Sequence, residues 1–331
     1  KGNVRAAFGE NGQLLSLDDK EAGRDWMAPA EPGNLLSLYV DRPVDWDAWD
    51  VDRFYREERV AVAEAAGDWT GWTGPARSVL EFRLRVGGST IRQRCILAAD
   101  SPRVDFETEV DWSERHKMLR VGFPAALRAG ARLRSSVQHG FVDRPLHWNH
   151  SHDAARFEVP CQRWAALVDG EGGLALLNDG KAGVRGEDNL TEMALLRSST
   201  FPDYDADRGR HRFTYAVLPF AGDSGEAGVT LEADRLNAVP LAFPGRDASG
   251  LRAPVAVDGP VALEALKRAE RGGGLVARIC NPEDRSAEVR LENLAGDGLV
   301  EVDALERETG PAEERFRLEP FRFRSFLLRE S

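Results

Sequence analysis

The sequence predicts an all-β protein of two domains. These are a large two-sheet, many-stranded β-sandwich over residues 1–243, a linker at 244–254, and a small antiparallel β-sandwich over 255–331. Three observations carry this reading. Apolar and polar residues alternate with a period of two in segments spread along the chain, the pattern of strands with one buried and one wet face. Turn signals such as Asn11-Gly12 and Gly87-Gly88 separate these segments. Helical spacing of apolar residues is convincing only at 227–236, where Ala227, Leu231 and Leu236 recur near the helical period.

Taken in order, residues 4–8 and 14–17 form a hairpin about Asn11-Gly12. Segments 79–86 and 91–97 form another about Gly87-Gly88, and 104–112 alternates cleanly from Val104 to Trp112. Strands are expected again at 133–141, read as one strand, and at 164–168, 174–177 and 212–220. This stretch is too long for one ordinary sandwich, so a large two-sheet body suits it. Phe243-Pro244-Gly245-Arg246-Asp247-Ala248-Ser249-Gly250 is turn-rich and lacks periodicity, which marks the linker. Beyond it, short strands at 261–266, 275–280, 287–291, 300–305, 315–318 and 322–328 follow without an intervening helix, as in a small sandwich.

The formal net charge of −11 argues against nucleic acid as a partner, because an acidic chain repels phosphate. Arginines are scattered over strand-like segments and read as solvated faces. No apolar run reaches the roughly 18 residues of a membrane span. The first methionine is Met27 and no leader precedes it, so a processed fragment without a signal peptide is expected. Cys95, Cys161 and Cys280 are odd in number and far apart, with no metal or redox spacing. They read as buried thiols, which points to a reducing, cytoplasmic location.

Three runs invite chemistry. The run from Asp41 to Asp52 packs five acids with Trp46 and Trp49. Tryptophan faces stack on sugar rings and carboxylates accept sugar hydroxyls. The competing structural reading is an acidic loop pinned to the core by its tryptophans. His147, His150, His152 and Asp153 invite zinc, but no cysteine or further ligand spacing stands nearby and ligands this close in sequence often do not all point inward, so hydrogen-bonding loop residues are preferred. Asp203, Asp205 and Asp207 begin like a calcium loop, yet Arg208 and Thr214 stand where such a loop needs Gly and Glu. There is no phosphate loop and no nucleophile elbow.

Several ordered segments resemble the C-terminal region of family 38 α-mannosidases, in particular the bacterial and cytosolic-type branch. They include the hairpin from Asn11 to Arg24, Glu31-Pro32-Gly33-Asn34, Trp46-Asp47-Ala48-Trp49-Asp50 and Ala155-Arg156-Phe157-Glu158-Val159-Pro160. Arg163-Trp164-Ala165, Leu176-Leu177-Asn178-Asp179, Leu195-Leu196-Arg197-Ser198, the run from His211 to Ala216 and that from Leu263 to Glu270 continue the set.

The resemblance implies an all-β body like the galactose mutarotase supersandwich, followed by a small sandwich. It also implies a retaining α-mannosidase whose zinc ion, nucleophile and acid/base lie in an N-terminal catalytic domain absent from this sequence. The family's His-x-Asp zinc element is missing, and His152-Asp153-Ala154 matches a second zinc element only superficially. No catalytic residue, metal site or cofactor is therefore expected in this chain. Its expected partners are the N-terminal catalytic domain and an α-mannoside oligosaccharide, and a homo-oligomer is compatible. Asp47, Trp49, Asp50, Asp153, Arg156 and Lys267 are the candidates for substrate binding or, preferably, for the domain interface. They should be exposed on one side. A free-standing mutarotase-like epimerase would instead need a His and a Glu facing each other in a cleft, and a carbohydrate-binding module would need an exposed aromatic platform.

Overall fold

The computed structural model describes residues 4–329 except 30, 129, 239, 240, 242, 243, 246–252, 271, 295 and 297. Two compact units are present: Lys1–Ser135 with Asp143–Asn237, and Ser136–Val142 with Ala238–Ser331. Most of the expected linker at 244–254 lies outside the described residues.

The larger unit is built on two antiparallel sheets. Across the ten-stranded sheet the order is Gly140–Pro145, Arg132–Val137, Trp164–Val168, Gly172–Asn178, Gly209–Ala221, Val104–Trp112, Ser89–Ala98, Arg77–Val86 and Glu64–Ala65, with Thr70–Thr73 also paired to Arg77–Val86. The six-stranded sheet runs Val159–Pro160, Gly183–Glu187, Leu190–Arg197, Lys117–Pro124, Leu35–Val40, Arg59–Val62. One core lies between them, with Leu36, Leu38, Leu119, Val121 and Phe123 from the smaller sheet meeting Phe82, Ile91, Phe106, Val110 and Val217 from the larger. Fully burying one such side chain contributes about 1.5–3 kcal/mol.

Val104–Trp112 buries every second residue, as its alternation predicts. One of those positions, Thr108, is polar, and its environment explains it. Asn34 Nδ2 donates to Gln93 Oε1 at 2.7 Å, and Gln93 Nε2 donates to Thr108 Oγ1 at 3.0 Å and to the Tyr215 hydroxyl at 2.9 Å. Tyr215 donates in turn to Asn34 Oδ1 at 2.5 Å. Buried polar groups are tolerated when their partners are present.

Several elements differ from expectation. Residues 133–141 are two strands, Arg132–Val137 and Gly140–Pro145, because His139 takes a left-handed backbone (φ 60°) and reverses the chain. The expected helix begins later, at Val229, since Gly228 sits at φ 71°. Its end is held by Asn237, whose side-chain nitrogen donates to the Ala233 and Asn178 carbonyls, each at 2.9 Å. Leu35–Val40, Lys117–Pro124 and Leu190–Arg197 lack alternation, because they are covered on both faces.

The smaller unit is a sandwich of a three-stranded sheet (Val255–Asp258, Ala287–Asn293, Arg315–Leu318) and a five-stranded one. In order across the sheet, the five are Ala262–Arg268, Leu275–Cys280, Phe323–Arg329, Gly298–Val302 and Glu308–Pro311. Val289, Leu291, Ile279, Phe316 and Phe326 fill the space between them. Among the described residues no helix is long and apolar enough to cross a membrane.

Candidate functional site

The acidic-aromatic loop leaves the strand Leu35–Val40 at Asp41. The Asp41 carboxylate is 1% exposed and faces the guanidinium of Arg197, the last residue of Leu190–Arg197. Burial pushes the Asp41 carboxyl up, against the pull of Arg197. Arg197 also donates to the carbonyls of Asp47 (3.0 Å), Ala48 (3.4 Å) and Asp50. One cation thus gathers the loop from inside. At its mouth, Asp52 Oδ2 accepts the Val44 amide at 2.7 Å.

Asp47 turns the same way. Its Oδ2 accepts the Thr200 amide at 2.6 Å, the Thr200 hydroxyl at 3.2 Å and the Phe201 amide at 3.1 Å. Partial burial opposes ionisation, but these bonds and the nearby His116 hold its carboxyl below the usual range. With the polar backbone and two carboxylates used inward, the rings are left outside. Trp46 and Trp49 are 67% and 64% exposed, edge to face with centroids 6.4 Å apart. The loop is therefore pinned by Arg197, Asp41 and Asp47, not by its tryptophans. Asp47 is not available to sugar hydroxyls, whereas Trp49 and Asp50 are exposed.

After the loop, the short helical turn Arg53–Glu57 lays Tyr55 over the outer face of the six-stranded sheet. The Tyr55 hydroxyl bonds Glu158, and its ring lies 5.2 Å from the Arg120 guanidinium carbon. Arg120, wholly buried, pairs with Glu158 at 3.0 Å. Arg185 pairs with Glu192 at 2.5 Å, and Tyr39 donates to Glu192 at 2.9 Å. Two buried arginines thus meet two glutamates, which meets the demand that buried charges be paired. An open cleft of about 510 Å³ borders this network, lined in part by Tyr39, Arg56, Arg185 and Glu192.

The histidine-rich run forms a second loop over the same sheet. His150 caps the helix Ser151–Ala154, its Nδ1 accepting the Asp153 amide at 3.3 Å. Asp153 is 5% exposed, which corrects the expectation of an exposed carboxylate. Its Oδ2 lies 3.2 Å from His147 Nδ1 and 3.5 Å from His150 Nε2, while Oδ1 accepts Arg156 Nη2 at 3.0 Å. Burial opposes ionisation, but the His150 and His147 rings, the Asn149 amide and Arg156 hold this carboxyl below the usual range. Zinc does not fit here: both rings crowd one carboxylate oxygen and a guanidinium occupies the other.

Arg156 is exposed. Arg56 ties the two loops together, stacking 4.0 Å over the Trp148 ring and pairing with Glu187 at 2.9 Å. The structure thus brings segments 41–58 and 147–160 together on one sheet. Lys267 lies in the smaller unit, where Glu270 and Glu306 each take its ammonium at 2.7 Å. Those two bonds raise its pKa and leave it poorly placed as a free sugar contact. Arg120 and Tyr55 are not marked by the sequence, and Arg197 and Glu158 enter it only within the family-like segments, not as site candidates. Arg120 and Arg197 carry one signal, a charge at or within an otherwise apolar run.

Among the described residues no histidine lines the cleft beside Glu192. His211 and Glu109 border another shallow cleft, but Glu109 pairs with Arg212 and His211 with the buried Val110, so they belong to opposite sheet faces. Neither place supplies the facing pair that an epimerase requires.

Comparison with known proteins adds the following. Residues 1–205 match the model of the glycosyl hydrolases family 38 C-terminal domain, and 260–326 match that of the family 38 C-terminal beta sandwich domain. Human alpha-mannosidase 2C1 is 38% identical over 300 residues, which is 89% of this chain and 28% of that protein. Alpha-mannosidase G of Dictyostelium discoideum is 36% identical over 240 residues, 71% of this chain and 22% of that protein. The chain thus spans about a quarter of the length of these relatives. An alpha-mannosidase crystal structure from Enterococcus faecalis V583 superposes with a TM-score of 0.80 at 16% identity, covering 99% of this chain and 42% of that one, and so shares its fold.

Proposed function

The chain belongs to glycosyl hydrolase family 38, as a C-terminal region of that family, and from this premise we propose that it is the non-catalytic support of a retaining α-mannosidase. In this reading a catalytic domain in the same polypeptide carries the zinc ion and the two carboxylates that cleave the mannoside. The loops 41–58 and 147–160 brace that domain. Trp46, Trp49, Asp50 and Arg156 form the contact, and an α-mannoside oligosaccharide is bound beside it. Three free, buried cysteines are in keeping with a reducing, cytoplasmic setting.

The observation that carries the proposal is the orientation of Trp46 and Trp49. Two large rings stand in solvent on a loop whose interior bonds keep it rigid. Exposed aromatic surface on a fixed scaffold is the signature of a surface that something covers. A carbohydrate-binding platform would share this aromatic exposure, so the test must separate the two. In the longer α-mannosidase, Trp46→Ala with Trp49→Ala should lower thermal stability and turnover together, as loss of an interdomain contact does. A rise in KM alone, with stability unchanged, would favour direct sugar binding instead.

A further inference from the structure

The smaller unit carries a chemistry that the proposed support role does not use. Cys280 ends the strand Leu275–Cys280, wholly buried, with Ala262 beside it on one neighbouring strand and Phe323 on the other. The next residue locks this place. Asn281 donates its amide to the Arg322 carbonyl at 2.8 Å and its side-chain nitrogen to the carbonyls of Arg285 (2.7 Å), Leu318 (3.1 Å) and Glu319 (3.2 Å). The sulfur is therefore held by an over-determined backbone.

Two further donors are aimed at it by irregularities of the chain. Pairing between Ala262–Arg268 and Leu275–Cys280 slips between Leu263 and Ala265, so Glu264 is the extra residue of a β-bulge. Bulges re-aim side chains and cluster beside functional sites. His139 occupies the left-handed turn between two strands, and its ring lies 5.7 Å from that of Phe323, tilted by 32°. The turn is seated closely: a Cβ on Gly140 would come within 2.6 Å of the Phe321 ring. One ligand atom from each of His139, Glu264 and Cys280 lies within 4.8 Å of the others. Among the described residues no other group of three His, Cys, Asp or Glu converges so.

We propose that His139, Glu264 and Cys280 bind a divalent transition ion of the zinc class, with water as a fourth ligand. Imidazole, thiolate and carboxylate are the donors that zinc takes, and three protein ligands with an open position are a known zinc arrangement. A thiolate disfavours magnesium and calcium. Ligands about 2.0–2.3 Å from one ion sit roughly 3.3–3.8 Å apart in a tetrahedron. Closing that difference requires the exposed His139 and Glu264 side chains to turn towards the buried Cys280.

Without a cation, burial and then the Glu264 carboxylate push the Cys280 thiol up to about 12. A bound ion reverses that local sign. The sulfur–hydrogen bond breaks, a sulfur–metal bond forms, and the proton leaves to solvent. The three residues are far apart in the chain, so no sequence motif announces them. The sequence alone reads Cys280 as a buried thiol and predicts no metal site.

The test uses the 331-residue chain, stripped with chelator and titrated with zinc or cobalt. The proposal expects one zinc per chain and a thiolate-to-cobalt charge-transfer band. Cys280→Ser should abolish the band, while Glu264→Gln should keep it. His139→Ala and Glu264→Gln should each weaken zinc binding by on the order of tenfold or more. Zinc should raise the melting temperature of the original chain but not of His139→Ala, and circular dichroism is the check that the exposed-site variants fold. No stoichiometric zinc, binding unmoved by His139→Ala and Glu264→Gln, or a cobalt complex lacking the thiolate band would each overturn the site.

Discussion

The carboxylate of Asp47 receives the backbone amide of Thr200 at 2.6 Å, closing the acidic-aromatic loop onto a segment far along the chain. That bond explains how a loop so rich in charge exposes its tryptophans. The carboxylates and carbonyls satisfy Arg197 and the turn at Thr200, and the rings remain outside.

Asp47→Ala removes three hydrogen bonds from partly buried donors and should cost about 1–3 kcal/mol. In a unit of this size that is a fall in melting temperature of roughly 2–4 °C per kcal/mol. Because the Asp47 carboxyl is held below its ordinary value, its contribution is fully present above the unfolded value near ~4 and is lost as pH falls through the folded value. The gap between Asp47→Ala and the original chain should therefore close in acid. Thermal unfolding at pH 7 and pH 3 measures this, and a gap that widens in acid would contradict it.

Arg120→Met should be among the most damaging substitutions in the larger unit. It removes the cation paired with Glu158 and leaves Glu192 with Arg185 as its one guanidinium partner, and breaking a buried pair costs about 3–5 kcal/mol. Glu158→Gln keeps a hydrogen-bonding group near Tyr55 and should cost less. Urea unfolding of the two variants beside the original chain gives the ranking, and an Arg120→Met midpoint equal to that of the original chain would show that the network is dispensable.

How much of this was legible is best seen strand by strand. Val104–Trp112 could be read because one face is wet and one dry. Lys117–Pro124 could not, because the loops cover its second face and erase the alternation. The candidate loops were found by composition, yet the direction of each side chain was hidden. Asp153 looked like a surface acid and is buried by two imidazoles and a guanidinium that local sequence supplies only once the chain has folded back. Arg197 is distant in sequence from the loop it organises, so no reading of residues 41–52 alone could have found it.

Arg156→Ala should cost the isolated chain on the order of 1 kcal/mol, since its exposed side chain pairs with the buried Asp153 carboxylate at 3.0 Å. In the longer enzyme proposed above it should lower thermal stability further or lower turnover, as loss of the proposed interdomain contact would. Unchanged behaviour in both settings removes Arg156 from the interface.

Asp153→Asn should loosen the His147–Arg156 loop at neutral pH and matter less in acid. The Asp153 carboxyl sits below its ordinary value, so its stabilisation is present above ~4 and fades as pH falls. Hydrogen exchange at residues 147–157 reports it directly, and protection unchanged at pH 7 would argue that the carboxylate holds nothing.

The central claim is that this chain supports an α-mannosidase without performing its chemistry. The most direct measurement is hydrolysis of a nitrophenyl α-mannoside by the purified 331-residue chain, with zinc present, beside the same chain joined to the catalytic region proposed to precede it. The account predicts turnover only in the longer protein. Turnover by the isolated chain, retained through repeated purification, would contradict it.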